Sequence, residues 1–200
     1  MAMKYLDLMF TDSVRRAQKQ YYGRAVNIPG ASQRDPLGQD EAEFIMARDS
    51  FFLGSINETG WPYIQHRGGP LGFLRVVNET TLAFADYKGN RQYITTGNLA
   101  ENDRAFLFLM DYAHRRRVKL WGRARVVADD DTLVERLMPE GYEARPEQVI
   151  LFEVEAWDIN CPQHIPQKID GQDVARVLGE LQARIAALEE ENAALRARHS

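Results

Sequence analysis

The fold of this chain follows mainly from two segments, FFLGSINETGWPYIQHR at residues 51–67 and FLRVVNETTLAFAD at residues 73–86. In the first segment, an apolar strand is expected at residues 51–56 and a second strand at residues 61–67, with a short turn between them that ends in Gly60. In the second, two β-prone runs are separated only by residues 78–80, which is hairpin spacing. Short strands joined by tight turns predict antiparallel pairing.

Further strands are expected on the C-terminal side of these hairpins. Residues 105–110 form a continuous apolar run, which predicts a strand buried on both faces. Residues 118–127 alternate between apolar and polar side chains, which predicts one buried face. A last strand is expected at residues 149–157. Six or so strands with short connections favour an antiparallel barrel, mainly β with flanking helices (α+β).

Helices are expected around the strands. Residues 10–22 predict a helix, with Thr11 or Asp12 available as the N-cap and Gly23 as the stop signal. Three more helices are expected, at residues 40–48, 90–101 and 129–137.

The composition sets limits on partners and location. The 200 residues are 44% hydrophobic and 27% charged, and the net charge is −4. These values give no general attraction to nucleic acid or to an anionic membrane surface. No apolar run is long enough to span a bilayer, and the N-terminus lacks the organisation of a signal peptide. The single cysteine, Cys161, excludes an intramolecular disulfide. We therefore expect a cytoplasmic protein without nucleic-acid or membrane partners.

The C-terminal segment carries a heptad repeat. Apolar residues and one asparagine recur with alternating spacings of four and three: Val174, Leu178, Leu181, Ile185, Leu188, Asn192 and Leu195. An asparagine at one a position favours a two-stranded, in-register coiled coil. The flanking pairs Arg184 with Glu189 and Glu191 with Arg196 attract each other only between parallel helices. The pattern predicts a parallel homodimeric coil. An amphipathic helix packed on its own barrel, or a helix that recruits another protein, is the alternative.

Polar and basic side chains are concentrated near strand ends. Residues 86–91 read Asp-Tyr-Lys-Gly-Asn-Arg at the junction of an expected strand and an expected helix. A helix N-terminus attracts phosphate, and arginine can hold two phosphate oxygens at once. Arg67 and Arg117 lie in two other basic segments near strand ends. The pattern favours an anion pocket, although each segment alone is also typical of a solvated turn.

Three segments of the chain resemble the pyridoxamine 5′-phosphate oxidase-like flavoproteins. They are Gly60-Trp61-Pro62-Tyr63, the stretch at residues 84–91, and the basic stretch at residues 116–123. The resemblance covers roughly residues 40–160 in order and strand spacing. It implies a split β-barrel that binds FMN at the interface of a homodimer.

The resemblance also implies roles for individual residues. Arg91 lies where the family has an arginine that contacts the FMN phosphate, and Asn90 lies where it has a serine. Arg117 falls where the oxidase has a glutamine near the flavin. The expected FMN-binding residues are Gln65, His66, Arg67, Lys88, Asn90, Arg91 and Arg117.

Two departures from the oxidase matter. Gln92 stands where the oxidase has a phosphate-binding lysine, so that Lys88 or Arg67 is expected to supply the charge. The Arg-Leu-His segment with which the oxidase grips pyridoxal phosphate has no counterpart here. We therefore expect the fold and FMN, but not a vitamin B6 substrate.

The segment Asn-Cys-Pro-Gln-His-Ile at residues 160–165 looks like the hallmark of a less characterised subgroup of this family. Cys161 and His164 are the candidate catalytic residues, as a thiolate–imidazolium pair or as groups beside the flavin. The alternative is a small buried cysteine and a histidine bonded to backbone in a loop stiffened by prolines. No second Cys-x-x-His spacing exists, so no metal is expected.

The sequence thus predicts three regions: an N-terminal helix and loop at 1–39, an FMN-binding split barrel at 40–168, and a coiled coil at 169–200. The leading hypothesis is an FMN-dependent oxidoreductase that acts on an unidentified small molecule. A non-catalytic flavin sensor or carrier whose coil docks a partner is the second hypothesis. A split barrel that binds haem is the third.

Overall fold

The chain divides into two units, which are described separately. One consists of Met1–Asp111 and Arg116–Pro162, and the other of Tyr112–Arg115 and Gln163–Ser200. The computed structural model describes residues 4–26, 34–159, 162–169 and 171–198. The division into three regions that we expect from the sequence stays a prediction.

The first unit is built on an antiparallel sheet. Within the described residues the sheet has seven strands: β1 (Ser50–Ile56), β2 (Pro62–Gly68), β3 (Arg75–Asn78), β4 (Thr81–Tyr87), β5 (Arg104–Asp111), β6 (Arg116–Val127) and β7 (Pro146–Ile159). Their order is β2-β1-β5-β6-β7-β4-β3, and every neighbouring pair is antiparallel. The expected mainly-β fold with flanking helices is confirmed.

Helices flank the sheet and extend the C-terminus. The described part of the chain contains six: α1 (Lys4–Met9), α2 (Asp12–Tyr22), α3 (Gln39–Met46), α4 (Ile94–Glu101), α5 (Asp131–Leu137) and α6 (Gly171–Arg198). Helix α2 has the expected ends. Thr11 accepts a hydrogen bond from the Val14 N–H at its start, and Gly23 ends it with φ of 79°. A glycine in this left-handed conformation is a common helix stop.

Helix α4 begins later than the sequence predicts. We expected a helix from residue 90, but it starts at Ile94. The reason is backbone conformation, because Arg91 and Tyr93 have φ of 58° and 51°, in the left-handed region that a right-handed helix excludes. A loop at residues 88–93 therefore separates β4 from α4.

The sheet is curled, so that strands far apart in the strand order come into contact. Phe51 of β1 and Phe84 of β4 pack edge to face with ring centroids 5.1 Å apart, and Phe73 stacks on Phe51 at 5.6 Å. The edge strand β2 pairs only with β1 among the described strands. Its other edge faces β4 across a gap bridged by side chains, which is the split of the barrel.

Burial along β5 corrects one expectation. Ala105, Leu107 and Leu109 are buried, but the intervening Phe106 and Phe108 are only partly buried. The strand is therefore not buried on both faces as predicted, because its outer face is only partly covered. Strand β6 alternates as the sequence predicts, with Leu120 fully buried between more exposed neighbours.

Gly122 lies where the long strands β6 and β7 change register. The shift falls between Trp121 and Gly122. A Cβ atom at Gly122 would lie 2.0 Å from the carbonyl oxygen of Glu153. Only glycine permits this close backbone approach, which β-bulges and barrel bends often require.

Helix α6 is the main element of the second unit. The apolar residues of its heptad repeat are 42–56% exposed in the single chain: Val174, Leu178, Leu181, Ile185, Leu188 and Leu195. The seam is thus available to a partner helix, and the parallel coiled coil stays a prediction. Among the described helices, none has both the length and the apolar character needed to cross a membrane.

Candidate functional site

A cleft opens in the split of the barrel, between β2 and β4. It has a volume of about 160 Å³ and is also bordered by the loop at residues 88–93 and by the first turn of α4. Its lining is polar. Gln65 and Arg67 come from β2, Asn90 and Arg91 from the loop, and Glu147 from β7. Two cations from separate elements thus converge at one cleft, together with the carboxylates of Asp86 and Glu147.

A buried hydrogen-bond network fixes the floor of the cleft. The Arg67 guanidinium donates to the Asp86 carboxylate through Nη1. Gln148 Nε2 donates to the second Asp86 oxygen at 2.9 Å and approaches Thr96 Oγ1 at 2.9 Å. Asp86 is only 8% exposed, so its charge needs these partners. The network ties β2, β4, β7 and α4 together and holds Arg67 in one orientation.

The loop and the start of α4 form the end of the cleft best suited to an anion. The Asn90 side chain accepts a hydrogen bond from the Gln92 N–H at 3.2 Å, which tightens the turn. Among the described residues, no side chain caps the start of α4. Its first N–H groups therefore lack a capping partner beside the cleft, where Arg91 also lies. Uncapped N–H groups at a helix N-terminus, together with a guanidinium, are suited to phosphate.

Three buried side-chain atoms have no hydrogen-bond partner among the described residues: Arg67 Nε, Tyr87 Oη and Arg117 Nε. Arg67 and Tyr87 line the cleft. Burial raises the pKa of the Tyr87 phenol, and Tyr142 adds to the rise while Arg75 opposes it. The phenol is thus protonated at neutral pH and is a donor. Unpaired buried polar groups are costly, so these three atoms are unusual features of the fold.

A second cavity of about 180 Å³ adjoins the cleft and shares Gln65, Arg67 and Tyr87 with it. Phe73 and Phe84 also border it, although both side chains are 1% exposed and belong to the core. Each cavity alone is smaller than the roughly 300–1,000 Å³ typical of sites for small molecules. A cofactor-sized ligand would therefore need both cavities.

Four of the seven residues predicted to bind FMN line the cleft: Gln65, Arg67, Asn90 and Arg91. His66 borders the adjoining cavity, while its ring packs edge to face against Phe52 at 5.6 Å. The structure thus brings five of the predicted residues to one region. Their contacts with a ligand stay predictions.

The remaining predicted residues lie elsewhere or are not described. Lys88 is exposed, and neither it nor Arg117 is among the residues that line the two cavities. His164 belongs to the second unit and is exposed, with φ of 62°. Cys161 lies outside the described residues. The proposed pairing of Cys161 with His164 therefore stays a prediction.

Sequence reasoning missed the acidic and hydroxyl groups of the cleft. Glu147 lines the cleft, and Gln148 reaches Asp86 because β7 pairs with β4 in the register Asp86↔Gln148. No spacing in the sequence shows that pairing. Asp86 and Tyr87 lie in the motif that the sequence singled out, but nothing in the motif shows that they face the cleft.

Comparison with known proteins identifies the family and the fold. A family model described as pyridoxamine 5′-phosphate oxidase matches residues 37–161, which is more than half of the chain. No curated protein matches the chain.

Solved structures of low sequence identity share the fold. The protein HupZ of Group A Streptococcus superposes with a TM-score of 0.52 at 14% identity, covering 66% of this chain and 99% of that one. A single-substitution variant of HupZ gives a TM-score of 0.51 at 14% identity, covering 62% and 98%. An FMN-binding protein from Syntrophomonas wolfei is less similar, with a TM-score of 0.48 at 10% identity over 61% and 85% of the two chains. The two HupZ structures support the split-barrel fold and nothing finer.

Proposed function

The chain belongs to the pyridoxamine 5′-phosphate oxidase family, and from this premise we propose that it is a flavoprotein that holds FMN in the cleft between β2 and β4. The observation that carries the proposal is the convergence of Arg67 and Arg91 in one cleft, beside the uncapped first turn of α4. The lack of the oxidase's Arg-Leu-His segment argues against a vitamin B6 substrate.

The phosphate end of FMN is assigned to the loop. Arg91 is 56% exposed and its only ion pair among the described residues, with Glu147, is long at 3.5 Å. Its guanidinium is therefore available to a phosphate. Arg67 is already paired with buried Asp86, so its charge is largely neutralised. We assign the main phosphate contact to Arg91, with Asn90 and the first N–H groups of α4 in support.

The ring end of FMN is assigned to the adjoining cavity. The cavity reaches the edge of the apolar core at Phe73 and Phe84, which favours a flat ring system over a charged group there. Gln65, Arg67 and Tyr87 line this cavity and would face the polar edge of the ring. Bound FMN would supply hydride and electron transfer, whereas the protein binds and orients it.

Two functional classes can be separated by one measurement. An oxidoreductase loaded with FMN is expected to lose its flavin absorbance when mixed with NADH, NADPH or another electron donor without oxygen. A flavin sensor or carrier would keep its absorbance with every donor. The exposed seam of α6 is the observation that favours this second class, because it offers a surface to a partner helix.

We propose that the outer face of β1, β2 and β5 forms the barrel part of a homodimer interface. Ile64 is 66% exposed and Phe52 is 39% exposed, and Phe52 is the register partner of Phe108. Exposed apolar patches of this kind mark interfaces. Met110 continues this face, and its register partner is Arg117. We propose that Arg117, which lies beside this face, is close to the interface of the dimer. If an Ile64→Lys variant dimerises as strongly as the wild type, this face is not part of the dimer interface.

The parallel coil is expected to strengthen the same dimer. Replacing Leu181 and Leu188 by lysine puts two charges into the seam, so dimerisation should weaken at least about tenfold. Sedimentation at low concentration measures the effect. Ala183→Lys with Ala186→Lys is the matched control, because it adds the same charge outside the seam. If the Leu181, Leu188 variant dimerises as strongly as the control, the seam of α6 does not strengthen the homodimer and binds a different partner.

A further inference from the structure

Glu147 touches the anion-binding end of the cleft with both of its carboxylate oxygens. Oε1 lies 3.5 Å from Arg91 Nε, and Oε2 accepts a hydrogen bond from the Tyr93 hydroxyl at 3.3 Å. Glu147 lines the cleft and its side chain is 22% exposed. One carboxylate therefore occupies two donors that stand ready for an anion.

The loop that carries these donors has a specific conformation. Arg91 and Tyr93 both have positive φ although neither is glycine. Non-glycine residues keep this conformation only where their surroundings favour it. The Glu147 contacts and the Asn90 turn are two local features that hold it. The free loop is thus already arranged around a negative group.

The second carboxylate of the cleft behaves differently. Asp86 is held by Arg67 and by Gln148, and has no contact with Arg91 among its described hydrogen bonds and ion pairs. Its charge is balanced within the floor of the cleft. Glu147, by contrast, makes only two side-chain contacts among the described residues, both long and both with the loop. Glu147 is therefore the carboxylate that a phosphate must displace.

We propose that Glu147 is an internal competitor for the phosphate of the ligand. Its carboxylate takes the Arg91 guanidinium and the Tyr93 hydroxyl in the free protein, and it repels a phosphate that approaches them. Glu147 thereby lowers the affinity for FMN but not for riboflavin, which lacks the phosphate. It sets how strongly the cleft discriminates between them. This inference rests on the proposed binding of FMN.

The test is a pair of titrations on the Glu147→Gln variant. Its Kd for FMN should fall about fivefold, the upper range for exposed ion pairs, while its Kd for riboflavin stays unchanged. Glu153→Gln is the matched control. It removes the same charge from the same strand, at a residue that is paired with Arg34 and does not line the cleft. Its affinity for FMN should equal that of the wild type.

A double variant checks the mechanism. If Glu147 acts by occupying Arg91, then Glu147→Gln should tighten FMN binding much less when Arg91 is already alanine. An unchanged or higher Kd for FMN in Glu147→Gln would overturn the inference and leave the proposed function intact. An equal gain for riboflavin would overturn it too. If FMN binds to neither the wild type nor Glu147→Gln, the proposed function fails together with the inference.

Discussion

Replacing Arg91 with alanine is expected to raise the Kd for FMN more than about tenfold, because it removes a charge-assisted contact with the phosphate. A factor of ten corresponds to about 1.4 kcal/mol of binding free energy. Among the residues that line the cleft, Arg67 is already paired with Asp86, so no second free cation replaces Arg91. Titration followed by flavin fluorescence measures the change.

The matched control for this variant is Arg125→Ala. Arg125 is an exposed arginine of β6 outside the lining of the cleft, and its loss changes the net charge equally. Its affinity for FMN should match that of the wild type. Riboflavin should bind the Arg91→Ala variant almost normally, since it has no phosphate. If the Arg91→Ala variant keeps the wild-type Kd for FMN, Arg91 does not bind the phosphate of FMN.

The second large effect is expected on stability. Gly122→Ala places a methyl group 2.0 Å from the carbonyl oxygen of Glu153, and backbone on both strands must move to relieve the overlap. We expect a loss of about 3–5 kcal/mol in the free energy of unfolding. This loss would lower Tm by about 10 °C for a chain of this length.

Gly97→Ala is the control for this variant. Gly97 lies in α4, and a Cβ atom there meets nothing within 4 Å. Within a helix, alanine is also more favourable than glycine by up to about 1 kcal/mol, so the Tm should stay the same or rise slightly. Thermal unfolding followed by circular dichroism compares the variants. A Gly122→Ala protein as stable as the wild type would show that β6 and β7 tolerate a wider separation.

Local patterns in the sequence predicted much of the fold. The alternation in β6 follows from a strand with one buried face, and the ends of α2 follow from Thr11 and Gly23. These features depend on neighbours in sequence, so they can be read directly. The late start of α4 could not be predicted, because it depends on left-handed backbone at Arg91 and Tyr93. Neither residue type signals that conformation.

The site was only partly predictable for a related reason. Arg67 and Arg91 were identified from basic side chains near strand ends and from a family resemblance, whereas their meeting in one cleft depends on the curl of the sheet. Glu147 could not be found in the same way. It reaches the cleft through the pairing of β4 with β7, which joins segments about sixty residues apart. The competition between Glu147 and a ligand is therefore visible only in three dimensions.

Flavin binding is tested most directly by the absorption spectrum of the protein purified without added cofactor, followed by titration with FMN. We predict flavin bands near about 375 and 450 nm, either at once or after FMN is added. If the Arg91→Ala variant no longer retains these bands in its bound fraction, the flavin binds in the cleft that Arg91 lines. A haem-type spectrum would support the third hypothesis instead. A colourless protein that does not bind added FMN would contradict the account.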